Sequence, residues 1–577
     1  MRLFELAARH ATSAPPSRTT GVDVLTTCLV GALVFLFRFS SVIDLTNDHY
    51  MHLSWAQQVL LGELPGRDFV DPGMPLAWGA SALFQAMFRG PFSEIVLSAL
   101  MFGVTAALTC HVVISLTGSR AAGVLAAFSA AALVPRLYNY PKLLVPALTM
   151  YLLNRYVRKD GWSRVALACG LAAAVLFRHD LGLYACLVTA LTVLVAHRSS
   201  PATAARELLG VAGATVLVLS PYLLYVGWSE GLIDHVRRGI EFSKGESHQL
   251  AYDWPAFPAL ESRTVPWSRA DATAFLYYFS WLVPVAGLIS LRAIERRDPA
   301  GRFPLGVAAT AFLGLYLPII LRYPLDQRLP DIATPLVVVS AMVGCVIARA
   351  SAHALRRGPG PGPVRRILAG SAATISAGVL LFAAFNAGLL GQLPRELEET
   401  RAARGPRGVI SKIRSIYQDT STWPWSKVWP NSGDFPQAVF YVRACTTPTD
   451  YVLMTWASPE YYFFGQRKFA AGHSMFLPPD AFTTPRDQEF MLARLRHERP
   501  PIALINNTLA EAFARAYPLV DGYIRENYVE AATYRHYDDS VIAIATRKDL
   551  RATSTFGTEG WPCGLTSTAT ARLAGRH

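Results

Sequence analysis

Long apolar runs separated by short polar segments fill most of the chain, and the pattern changes after Gln392. Apolar runs fall at residues 22–39, 93–116, 121–134, 143–153, 165–177, 181–196, 208–226, 272–291, 304–321, 332–347 and 367–390. Several are shorter than the roughly 20 apolar residues an untilted membrane helix needs, so their limits are placed only to within a few residues. The pattern predicts a mostly α, polytopic membrane protein of about 11 transmembrane helices. Beyond Gln392, residues 449–456, 501–505 and 540–545 read as strands, and 487–497 and 509–516 as helices. Alternation of this kind predicts a small α/β domain. The Ser-, Thr- and Gly-rich tail beyond Arg551 reads as unstructured.

The expected division is therefore a leader over 1–21, a membrane domain over 22–392 with its first outer loop at 41–92, an α/β domain over 393–550 and a tail over 551–577. The leader carries Arg2, Arg9 and Arg18, but the run after it is long and lacks a small-residue cleavage site, so it reads as a retained span. The Gly-Pro stretch at 358–363 is a linker, and no internal repeat is visible. Trp228, Tyr252, Trp254 and Trp267 mark 227–271 as an outer segment suited to the headgroup layer.

Composition agrees: apolar residues make up 52% of the 577 and charged ones only 16%, which disfavours a soluble protein. A net charge of +13 could mean nucleic-acid binding, but the cations are scattered between apolar runs rather than gathered in a stripe. They follow the positive-inside rule instead. With the N-terminus in the cytoplasm, Arg120, Arg158, Arg198, Arg296 and Arg349 fall in inner loops, and Asp48, Asp71, Asp180, Asp234 and Asp326 in outer ones. An odd span count then puts the α/β domain outside. High Ala and Arg content points to a GC-rich bacterium, and so to its inner membrane. Five of the seven cysteines lie in apolar runs; Cys445 and Cys563 could pair if their domain is extracytoplasmic.

Candidate chemistry starts at Asn47-Asp48-His49-Tyr50, where the first span ends, and continues to Arg67-Asp68 and Asp71-Pro72-Gly73-Met74-Pro75-Leu76. Three carboxylates in one loop beside a membrane point to use, although ordinary loops carry Asp too. Asp48, His49, Asp68 and Asp71 could also ligate a divalent cation, but loop spacing does not fix a geometry. Other outer-face clusters hold Arg136 and Lys142, Arg178 and Asp180, and Arg322, Asp326 and Arg328. Outer cations run against the positive-inside trend. They could bind a phosphate at the membrane surface, or pair internally as Arg178 with Asp180 and Arg322 with Asp326. A carboxylate facing a phosphate site fits sugar transfer from a lipid phosphate, with the Asp as general base and the cations on the departing phosphate.

The stretch from Asp48 through Ala56-Gln57-Gln58, Gly62, Pro65, Arg67-Asp68-Phe69 and Asp71–Leu76 resembles the first outer loop of the GT-C glycosyltransferases. The nearest types are the protein mannosyltransferase and lipid A aminoarabinose transferase relatives. The resemblance covers roughly residues 22–392. It implies a multi-span fold, a polyprenyl-phosphate sugar donor, and a catalytic Asp that maps onto Asp48. His49, Tyr50, Arg67, Asp68, Asp71, Arg136, Lys142, Arg178, Asp180, Arg322 and Arg328 are then the candidates for binding substrate. Implied partners are the donor, membrane lipids and a glycan, lipid or protein acceptor, without nucleic acid. Two positions depart from the pattern. Many relatives have Asp-Glu where this chain has Asp48-His49, and Gly73-Met74-Pro75-Leu76 lacks the lysine of the aminoarabinose branch. Lipid A modification is therefore disfavoured, and Lys142, Arg178 or Arg322 could replace the missing cation. A lipid flippase or transporter and an inactive envelope scaffold are the competing readings. Missing two-half symmetry and a large C-terminal domain count against the first, and the intact Asp48 against the second.

Overall fold

The computed structural model describes residues 20–42, 45, 47–71, 73–88, 90–159, 162–247, 255, 269–296, 298, 301–321, 328–356, 398–421, 435–477 and 484–567. The leader before Thr20, the linker at 358–363, the run at 367–390 and the Arg322–Asp326 pair lie outside the described residues.

The helices are α1 (Gly21–Ser40), α2 (Asn47–Leu60), α3 (Pro75–Met87), α4 (Phe92–Thr117), α5 (Arg120–Ala132), α6 (Tyr140–Val157) and α7 (Ser163–Phe177). Next come α8 (His179–Ala196), α9 (Pro201–Ser229), α10 (Leu232–Ser247), α11 (Arg269–Glu295), α12 (Arg302–Tyr316) and α13 (Ala333–Arg356). The C-terminal part holds α14 (Gly405–Ser421), α15 (Phe435–Cys445), α16 (Glu460–Gly465), α17 (Pro485–Glu498), α18 (Ala510–Ala516) and α19 (Pro518–Asn527). Its strands are β1 (Tyr451–Met454), β2 (Lys468–Phe469), β3 (Ile502–Asn506), β4 (Tyr528–Arg535), β5 (Val541–Arg547), β6 (Leu550–Phe556) and β7 (Trp561–Ser567). The chain forms two compact units. One comprises Met1–Val42, Ile95–Pro221 and Leu250–Arg414, the other Ile43–Glu94, Tyr222–Gln249 and Ser415–His577.

In the first unit every expected span before 367 falls on a helix. Among the described residues seven helices are long and apolar enough to cross a membrane, and α5 and α7 are shorter apolar helices. Thr20 and Asp23 form a capping box that starts α1, and Asp23 also accepts from Arg120 Nε at 2.6 Å, tying that end to the start of α5. Midway, Gly31 and Gly103 let α1 and α4 touch. A Cβ at either position would lie 2.9 Å from the other's carbonyl oxygen. At the far end Arg38 donates to the Pro135 carbonyl at 2.6 Å. Such contacts sort the helix ends into two faces. One holds Asp23–Arg120, Arg164–Glu207 and Arg198–Glu295, and the other holds Lys142–Asp331 and Arg178–Asp180.

The second unit does not follow the expected domain boundaries, because the first outer loop folds with the C-terminal residues. Trp55 Nε1 donates to Ser474 Oγ at 2.7 Å, Gln57 to the Tyr462 carbonyl at 3.0 Å, and Gln58 to the Arg467 carbonyl at 3.0 Å. These buried amides and this indole need partners, and the α/β part supplies them. Its sheet runs β2-β1-β3-β5-β4, parallel between β1 and its neighbours and antiparallel from β3 onward. β1, β3, β5, α17 and α18 match the strands and helices read from sequence. Leu453, Phe476, Met491, Leu495, Ala503 and Val520 form the core on one face of the sheet.

Residues 551–567, expected to be unstructured, form the β6–β7 hairpin instead. Trp561 is buried against Tyr441 and Tyr534, and a disulfide joins Cys445 to Cys563. The polar sequence of the hairpin hid these two anchors. Asn506-Asn507-Thr508 resembles a glycosylation sequon in sequence, but Asn506 is buried at the end of β3 and accepts from the Leu509 N–H at 3.1 Å. That burial removes it from the surface where an acceptor asparagine must lie.

Candidate functional site

The three loop carboxylates have different environments. Asp68 is clasped: its Oδ2 accepts from Arg67 Nε at 2.7 Å and the Leu64 N–H at 2.8 Å, and Oδ1 lies 3.4 Å from Arg494 of α17. Burial would raise its pKa, but these partners hold it below the usual carboxylate value. Asp71 Oδ1 accepts from the N–H groups of Gly73 and Met74 at 2.7 and 3.1 Å, fixing the turn before α3. Burial pushes its pKa up to about 6 against those two bonds. Asp48 stands in the first turn of α2, half-buried, and among the described residues no hydrogen bond or ion pair holds its carboxylate.

The neighbours of Asp48 on α2 face the unit's interior. Tyr50 is buried with its ring 5.3 Å from that of Phe464. His49 and His52 face Glu94, the acid that opens α4, with Nδ1 3.9 and 3.1 Å from its Oε1. Ser81 of α3 donates to the other oxygen of Glu94 at 2.8 Å. Glu94 is fully buried and was missed in the sequence because it opens an apolar run and reads as a cap. On the i, i+4 spacing of a helix, Asp48 and His52 share a face. A second carboxylate, that of Glu94, is thus placed against the buried histidines of α2.

Arg67 donates to the Gly62 carbonyl at 3.1 Å besides pairing with Asp68, so it closes the loop on itself. A larger network surrounds Glu63, which pairs with Lys468 at 2.7 Å and accepts from the Tyr451 hydroxyl at 2.8 Å. Arg494 bridges Glu63, Asp68 and Glu498, with its shortest contact 2.6 Å to Glu498. Burial pushes Glu498 up to about 7 even so.

In the first unit, the buried Lys142 donates to Asp331 Oδ2 at 2.6 Å, and Asn139 to its Oδ1 at 2.8 Å. The ammonium is thus neutralised where it stands. Arg178 forms a two-bond pair with Asp180, both at 2.8 Å. Arg136 donates to the Tyr138 hydroxyl and lies over that ring. Arg328 precedes the turn that carries Asp331, lies close enough to Lys142 and its charge to repel it, and has no ion-pair partner among the described residues. Asp331 reads from the sequence as one more outer-loop acid, and nothing local links it to Lys142. Among the described residues no three His, Cys, Asp or Glu side chains gather as ligands of one ion, and Asp48, His49, Asp68 and Asp71 are not brought together as such a group.

No family model and no curated protein matches the chain. Among solved structures it is similar to ArnT from Cupriavidus metallidurans bound to undecaprenyl phosphate, at 12% identity and a TM-score of 0.46 over 91% of this chain and 98% of that one. The apo state of ArnT gives 14% identity and 0.45, over 92% and 98%. The archaeal oligosaccharyltransferase AglB from Archaeoglobus fulgidus, in complex with an inhibitory peptide and a dolichol-phosphate, gives 13% and 0.42, over 91% and 74%.

Proposed function

We propose that the protein is a membrane glycosyltransferase of the GT-C kind. It moves a sugar from a polyprenyl-phosphate donor to a glycan, lipid or protein acceptor on the extracytoplasmic face of a bacterial inner membrane. The observation that carries this reading is the contrast between the three loop carboxylates. Asp68 and Asp71 are engaged by their own loop, and Asp48 is not. A general base needs a free oxygen within reach of the proton it removes.

In this reading the acceptor hydroxyl oxygen attacks the anomeric carbon and its proton passes to Asp48. The bond from that carbon to the phosphate oxygen breaks, and polyprenyl phosphate leaves with the electron pair. Attack on the face opposite the leaving group inverts the anomeric configuration. Glu94, facing His52 and His49 and accepting from Ser81, helps to fix the start of α2, the helix that carries the base. A phosphate-bearing donor calls for cations that carboxylates have not already neutralised. Arg328 meets that description better than Lys142 or Arg178. The disulfide between Cys445 and Cys563 supports an oxidising, outward location for their unit, in line with the basic loops assigned to the cytoplasm.

The test is transfer by membranes containing the protein, supplied with a panel of radiolabelled polyprenyl-phosphate sugars and a mixed envelope acceptor. Labelled product of inverted configuration is expected from at least one donor. Lipid-linked label that crosses the bilayer without reaching any acceptor would favour a flippase instead.

A further inference from the structure

A small, solvent-open cleft in the first unit takes no part in the reading above. It is lined by Leu116, Met342 and Val346 together with Asp298, Arg302 and Arg349. The elements that form it are the end of α4, the end of α11, the start of α12 and the end of α13. All four belong to segments long and apolar enough to cross a membrane. Their shared end is therefore a membrane boundary, and its cations mark it as the basic face.

Its charges are arranged in an unusual way. Gly118 follows α4 at φ +71°, and a Cβ there would meet Arg302 Nη2 at 3.3 Å and Arg349 Nη2 at 3.7 Å. Two guanidinium groups thus converge on one point, and Arg349 also donates to the Thr117 carbonyl there. Arg158 is close enough to repel Arg302 as well. Asp298 is the carboxylate nearby, but it lies 3.9 Å from Arg302 Nε and already accepts from the Gly301 N–H at 2.9 Å. Like charges gathered at a low-dielectric boundary repel strongly unless an anion offsets them. The apolar lining residues Leu116, Met342 and Val346 are buried among the helices, so what the cleft presents at the membrane boundary is its charge, which suits the phosphate of a lipid headgroup.

We propose that this cleft binds the phosphate of an anionic phospholipid headgroup, held between Arg302 and Arg349, on the face of the membrane opposite the Lys142–Asp331 end of the first unit. The site is independent of sugar transfer and does not use Asp48.

The test uses the full-length protein in nanodiscs of phosphatidylcholine, with and without phosphatidylglycerol, reading the thermal midpoint and the lipid retained in native mass spectrometry. Phosphatidylglycerol should raise the midpoint and be retained preferentially. Arg302→Gln should weaken that retention by roughly tenfold, the effect of losing one charge-assisted contact. Arg302→Lys should recover part of it, and Arg164→Gln, which removes a cation paired elsewhere on the same face, should leave it unchanged. Should Arg302→Gln prove unstable in phosphatidylcholine, retention by Arg302→Lys relative to wild type gives the reading. Equal retention by wild type and Arg302→Gln would overturn the proposal. A midpoint rise produced equally well by inorganic phosphate in phosphatidylcholine nanodiscs would overturn the lipid assignment in favour of a soluble anion.

Discussion

Glu460 opens α16 with its carboxyl enclosed. One oxygen accepts from the Tyr537 hydroxyl at 3.0 Å, and the other has no partner among the described residues. Burial pushes its pKa up to about 7 from an ordinary 4.5. A carboxyl that holds its proton more tightly when folded stabilises the fold fully below its unfolded pKa. That stabilisation is lost as pH rises through the folded value. For Glu460 the loss falls between pH 4.5 and about 7. At about 1.4 kcal/mol per pKa unit, the difference amounts to about 3 kcal/mol. Glu498, also raised to about 7, acts in the same direction. His473, lowered to about 4 by burial, acts in the opposite one, its contribution being lost as pH falls through that value. Glu460→Gln isolates one group, since the amide keeps an acceptor for Tyr537 at nearly the same volume and cannot ionise. The assay is native-state hydrogen exchange of the β1 and β3 amides in the full-length protein, from about pH 4 to about pH 8. Wild type should lose about 3 kcal/mol more protection than Glu460→Gln across that range. Parallel curves for the two proteins would refute the reasoning, because burial would then not control the proton on Glu460.

Two further outcomes are expected. The Cys445–Cys563 disulfide closes a loop of 118 residues, which in the chain-entropy account stabilises its unit by about 5 kcal/mol. Cys563→Ser should lower urea resistance accordingly, and thiol labelling of the unfolded, unreduced wild type should leave both cysteines unmodified. Asp331→Asn leaves the Lys142 ammonium buried beside a neutral amide and should cost about 3 kcal/mol in thermal unfolding. Adding Lys142→Met should recover most of that loss, and a double variant no more stable than the single one would show that the pair is not coupled.

The membrane helices were legible because apolar runs of span length have few other ways to be satisfied. The strand at 501–505 was legible because a central strand buried on both faces reads as an unbroken apolar run. What was hidden depends on contacts between distant parts of the chain. Trp55 and Ser474 are bonded across 419 positions, and no periodicity near residue 55 announces that the loop belongs with the α/β sheet. Asp68 and Asp71 look the same as Asp48 in a loop sequence. Only the fold shows that Arg67, Arg494 and the N–H groups of Leu64, Gly73 and Met74 engage the first two. Lys142 looked available because its partner, Asp331, lies 189 positions away. The β6–β7 hairpin carries mostly exposed polar side chains, and it is held by Trp561 and Cys563, whose partners are again remote.

The most direct test of the account compares wild type with Asp48→Asn for sugar transfer from the active polyprenyl-phosphate donor, in membranes where both proteins are equally inserted. Loss of a general base should lower kcat by about 10² to 10⁴-fold while donor binding is kept. The amide has nearly the volume of the carboxylate, so folding should be unaffected. Transfer by Asp48→Asn at the wild-type rate would contradict the central claim and remove Asp48 from the chemistry.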